Sequence, residues 1–110
     1  MEFDEYQEKA MRTNKAPNIV TSEYTYYLLG LVGEAGEVAE KFKKNFRNDN
    51  GIQTDDFKKE IAKELGDVLW YLTAMGNMMG YSLEDIAKMN NEKLLSRLER
   101  GVIKSEGDNR

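Results

Sequence analysis

Apolar residues recur along most of the chain at intervals of three and four. Tyr24, Leu28, Leu31, Ala35, Val38, Phe42 and Phe46 mark one arc of a long helix. Phe57, Ile61, Leu65, Val68, Leu72, Met75 and Met79 mark the arc of another. No stretch shows the strict alternation of a strand.

Local signals divide the chain. Phe3 to Arg12 reads as a short helix, and TNKAPNIVTS, with the only proline (Pro17), as a loop. Thr21 or Ser22 is placed to cap a helix running to about Arg47, and RNDNGIQT is turn chemistry. Thr54 caps a third helix that runs roughly to Met79, with Gly80 where a C-terminal cap belongs. Ser82 with Asp85 opens a fourth that ends near Arg100, with Gly101 as its stop. The last residues, about 103–110, read as a disordered tail. Four helices with short connections predict an all-α fold, an antiparallel four-helix bundle, in one domain over 1–110.

The second helix carries Gly30, Gly33 and Gly36, each costing about 1 kcal/mol relative to Ala. Glu34 and Glu37 stand among them, three apart and on one face. On the third helix Glu60, Glu64, Asp67 and Tyr71 line one flank of the apolar arc, and Glu64 and Asp67 repeat the same spacing. Antiparallel packing would set the two acidic pairs across one seam. Carboxylates gathered in this way raise one another's pKa. A hard cation with oxygen ligands, Mg²⁺ or Mn²⁺, relieves that repulsion. A single E-x-x-E is more often a solvated face, and helix glycines more often mark close packing. From spacing alone a metal site and a solvated acidic face stand level.

Composition narrows the chemistry. The chain lacks cysteine and histidine, which removes disulfides, thiolate zinc sites, Cys nucleophiles and His-based triads. The net charge of −4 disfavours a nucleic-acid backbone as partner. A free nucleotide remains compatible, because a metal reverses the local sign. No signal-peptide pattern and no apolar run of membrane length is visible, so a cytoplasmic protein without a membrane partner is expected. A chain of 110 residues buries a modest core, which favours a second subunit.

The paired motifs Glu34-Ala35-Gly36-Glu37 and Glu64-Leu65-Gly66-Asp67, within GLVGEAGEVAE and KELGDVLWYL, resemble the MazG-like nucleotide pyrophosphohydrolases of the all-α NTP pyrophosphatase superfamily. NNEKLLSRLERG is similar to that family's closing pattern, at Asn91, Lys93 and Arg97. The likeness spans roughly Tyr24 to Gly101. It implies a Mg²⁺-dependent hydrolase that converts nucleoside triphosphates to monophosphate and pyrophosphate. Glu34, Glu37, Glu64 and Asp67 would hold the metal, and a metal-activated water would be the nucleophile. It also implies a homodimer or homotetramer.

Other positions divide between two readings each. Lys41 and Lys44 are phosphate ligands or solvated lysines, and Lys93 and Arg97 phosphate ligands or a surface pair. Tyr71 contacts the nucleotide or fills the core, and Asn91 binds a substrate oxygen or caps a bend. Trp70, off the main arc, is expected at a subunit interface or stacked on a base. Met75, Met78 and Met79 are expected in the core or an interface. Competing functions are a phosphoribosyl-ATP pyrophosphohydrolase, a dimeric dUTPase and a non-catalytic helical interaction module. A di-iron bundle is disfavoured because its usual Glu-x-x-His pairs need histidine.

Overall fold

Side-chain caps and left-handed residues set the helix ends. The computed structural model describes residues 1–16 and 23–101, which hold α1 (Phe3–Met11), α2 (Glu23–Asp49), α3 (Asp55–Met78) and α4 (Leu83–Arg100). The Thr54 hydroxyl accepts the Phe57 N–H at 3.1 Å and starts α3. Ser82 and Asp85 exchange side-chain-to-backbone hydrogen bonds, both 3.1 Å, and start α4. Gly101, at φ 71°, closes α4 in the left-handed region that favours glycine. Between α2 and α3, Asn50 and Gly51 both take positive φ, and the Asn45 side chain donates to the Ile52 carbonyl at 2.8 Å. The expected loop at Pro17, the caps Thr21 and Ser22 and the tail at 103–110 lie outside the described residues.

The five-residue connection folds α3 back on α2, and this hairpin is the main packing unit. Phe42 and Phe57 close its turn end, edge to face with centroids 5.3 Å apart. The other end of α3 is the best-covered part of the chain. Thr73 and Ala74 are buried there, and α4 crosses at Gly76, where an added Cβ would run into Ile86. No residue of α1 is buried. Gln7 ties α1 down instead, accepting the Leu83 N–H at 2.8 Å and donating to Asn77 Oδ1 at 3.3 Å.

The expected antiparallel bundle is therefore open within one chain. All four helices form, yet α4 packs on α1 and α3 and does not meet α2. The radius of gyration is 17.0 Å, against about 13 Å for a compact chain of this size. The apolar arc of α2 is wider than the face that α3 covers. Tyr27, Leu31, Val38 and Phe42 are buried or half-buried, whereas Leu28 and Phe46 are 47% and 64% exposed. Leu94, Leu95 and Leu98 of α4 are also exposed. Trp70 has cover within the single chain. The end of α1 covers it, and its Nε1–H is shared between the Thr13 hydroxyl at 2.8 Å and the Ala10 carbonyl at 3.2 Å. The helical spacing that placed Trp70 off the α3 arc carries no information on where α1 lies.

Candidate metal centre

The α2–α3 seam brings acids together from both helices. Glu34, Glu64 and Asp67 each offer a carboxylate oxygen, and the three oxygens lie within 4.8 Å of one another. Glu34 and Glu64 are half-buried and Asp67 is exposed. Burial pushes the Glu34 carboxyl above its ordinary value, and the charges of Asp67, Glu64 and Glu37 push it further. The donor set is all oxygen and all anionic, which suits a hard divalent cation such as Mg²⁺ or Mn²⁺.

The four acids singled out in the sequence arrive as three plus one. Glu37, a turn beyond Glu34, is exposed and stands outside the three-oxygen group, although its charge acts on Glu34. Lys41 faces the acids across the seam, with Nζ 3.8 Å from Glu64 and 3.9 Å from Glu60. Lys44 is exposed and lines with Lys41 a separate cleft of about 230 Å³ beside Asn45, Asn48 and Glu60.

A cleft of about 390 Å³ opens beside the carboxylates. Its lining combines the carboxylates of Glu34 and Asp67 with the rings of Tyr26, Trp70 and Tyr71. Thr13 and Lys15, from the end of α1, complete it. Burial above all holds the Tyr71 hydroxyl above its ordinary value, with neighbouring Tyr26, Glu34 and Asp67 adding to the shift. The Tyr6 phenol, from α1, is likewise raised, first by burial and then by the charge of Asp67. Tyr6, Thr13, Lys15 and Tyr26 were not singled out in the sequence. No local motif marks them, since what matters is how α1 docks.

The α4 candidates lie elsewhere within one chain. Asn91 lines a different cleft, with Phe3 and Glu84. Lys93 is half-buried and Arg97 is 4% exposed. None of the three lines the cleft at Glu34 and Asp67.

The sequence pattern of the MazG nucleotide pyrophosphohydrolase domain matches residues 22–102, which include both acidic pairs. The chain belongs to the MazG family. Gene 37 protein of Mycobacterium phage L5 is 44% identical to this MazG protein over 86 residues, covering 78% of this chain and 75% of the phage protein. The uncharacterized protein YvdC of Bacillus subtilis (strain 168) is 32% identical over 74 residues, covering 63% of this chain and 70% of its own. No solved structure matches. MazG membership sets the class as nucleotide pyrophosphohydrolase, with a nucleotide as substrate and, typically of the family, a divalent metal. Among the described residues no helix is long and apolar enough to cross a membrane.

Proposed function

We propose that this MazG protein hydrolyses ribo- or deoxyribonucleoside triphosphates to the monophosphate and pyrophosphate, with Mg²⁺ held by Glu34, Glu64 and Asp67. The observation that carries this is the three carboxylate oxygens within 4.8 Å of one another, at the edge of a cleft with an aromatic wall. Glu37 is the fourth acid of the set, one turn from Glu34 and open to solvent. Mg²⁺, when bound, supplies Lewis-acid polarisation of the phosphoryl group and an activated water.

The side chains of this chain do the rest. Glu34, Glu64 and Asp67 fix the geometry of the phosphate end. Lys41 is in reach of the same end and exchanges Glu60 and Glu64 for the substrate's phosphates. Lys44, in the neighbouring cleft beside Lys41, is the second phosphate ligand of this reading. Tyr71 meets the nucleoside.

The working form is at least a homodimer. Leu28, Val32 and Phe46 on α2 and Leu94, Leu95 and Leu98 on α4 present apolar surface that one chain leaves uncovered. A second copy would cover it and would bring Asn91, Lys93 and Arg97 towards the phosphates. The site of action is the cytoplasm, where nucleoside triphosphates are held.

The test is release of pyrophosphate and monophosphate from a nucleotide panel, with Mg²⁺ and with EDTA. Phosphoribosyl-ATP and dUTP belong in that panel, because a preference for either would assign the chain to the corresponding relative. A folded protein that turns over none of them would be an interaction module.

A further inference from the structure

The cleft beside the carboxylates has a wall from outside the family's matched segment. The MazG pattern begins at residue 22, whereas Thr13 and Lys15 precede it. Lys15 is the only cation on the described lining, and among the described residues it forms no ion pair. The lining of this 390 Å³ space also holds two carboxylates and three aromatic rings. That volume suits a small aromatic ligand. A ligand satisfying all three features has an aromatic ring, acceptor oxygens for an ammonium group and an anionic end for a metal. A nucleotide has this chemistry.

The placement of Lys15 is controlled. With no buried residue, α1 owes its position to polar ties. At its far end Trp70 reaches from α3 to Ala10 and Thr13. The Thr13 hydroxyl donates to Ala10 at 2.7 Å while it accepts from the indole. Asn14 donates to the Tyr27 hydroxyl of α2 at 2.7 Å and accepts from the Ala16 N–H at 3.1 Å. The chain just before Lys15 is thus fastened to both helices that carry the acids, through Thr13 to α3 and Asn14 to α2.

We propose that the end of α1 is the recognition element of this site: Lys15 contacts a nucleotide lying against Tyr26, Tyr71 and Trp70, and Trp70 is the positioning residue that holds Lys15 in place through Ala10 and Thr13. The inference rests on the nucleotide reading above and adds a specificity determinant that the family's segment does not contain. Lys15 acts directly on the ligand. Trp70 acts through α1, with its ring edge committed to Ala10 and Thr13.

Trp70 is the only tryptophan, so its emission reports on the cleft. The full chain is titrated in Mg²⁺ with deoxynucleoside monophosphates of A, C, G, T and U, and separately with inorganic tripolyphosphate. The expected result is a saturable change in emission with at least one monophosphate and none with tripolyphosphate. Lys15→Met and Thr13→Val should weaken that response. In turnover assays Lys15→Met and Trp70→Phe should each raise KM about tenfold, with a much smaller effect on kcat, as loss of one good contact would. Circular dichroism checks that each variant is folded. Turnover by the wild type with no emission change, or with KM unaffected in both Lys15→Met and Trp70→Phe, would overturn the recognition element and leave the reaction standing. A monophosphate response without any turnover would support the recognition element and remove the proposed reaction.

Discussion

The ring of Tyr71 lies over the bare Cα of Gly30, so close that a Cβ on that glycine would fall inside the ring. This contact explains one of the glycines that interrupt α2. It lets an aromatic residue of α3 stand upright beside Glu34 and form the wall of the cleft. A Cβ added at Gly33, Gly36 or Gly66 would meet nothing within 4 Å among the described residues.

Gly30→Ala therefore sets helix propensity against overlap. Alanine favours the helix by about 1 kcal/mol, while forcing the Tyr71 ring aside costs about 1–3 kcal/mol. The expected outcome is a less stable protein with a higher KM, measured by denaturant unfolding and steady-state kinetics. A stabilised variant with normal kinetics would show that the ring moves freely.

Glu34 gives a pH prediction for the metal-free protein. Its carboxyl is raised in the folded state, by burial first and neighbouring acids next. The fold thus binds this proton more tightly than the unfolded chain does. The associated stability is full below the unfolded pKa and is lost as pH rises through the folded value. In EDTA, Glu34→Gln should melt higher than wild type near neutral pH, and the gain should vanish in acid. Added Mg²⁺ should reverse the order by stabilising wild type more. Melting curves at two pH values, with and without metal, check this.

The other acids separate by place. Glu64→Gln should abolish Mg²⁺-dependent stabilisation, because Glu64 is one of the three clustered oxygens. Glu37→Gln should retain part of that stabilisation, yet lower turnover by about 100-fold. Thermal shift with metal alone, alongside kinetics, reads both effects. Equal loss of metal response in the two variants would place Glu37 inside the primary cluster.

These contrasts follow the boundary between what the sequence carried and what it did not. Thr54, the Ser82–Asp85 box and Gly101 were legible because caps act within a few residues. The acids were legible because i,i+3 spacing puts a pair on one face and the Asn50–Gly51 turn folds the faces together. The cover over Trp70 was not, since it depends on α1 docking some 60 residues away in sequence. For the same reason no local motif marks Lys15, and within one chain Asn91, Lys93 and Arg97 lie off the cleft at Glu34 and Asp67. Periodicity marks the apolar arc of α2 without showing that α3 covers only part of it.

The uncovered part predicts assembly. The wild type should sediment as a dimer or larger, and Leu98→Asp, at a position 64% exposed in the single chain, should shift it towards monomer. If the second copy supplies Lys93 to the phosphates, mixing inactive Glu64→Gln with inactive Lys93→Met should restore some turnover, since one composite site is then intact. Sedimentation velocity and the mixing assay check the two points separately.

Pyrophosphate release from ribo- and deoxyribonucleoside triphosphates, measured with Mg²⁺ and again with EDTA, bears most directly on the carboxylates of Glu34, Glu64 and Asp67. Release of pyrophosphate and monophosphate in equal amounts, abolished by EDTA and by Glu64→Gln, is the predicted result. Release of inorganic phosphate instead, or turnover that survives both EDTA and Glu64→Gln, would contradict it.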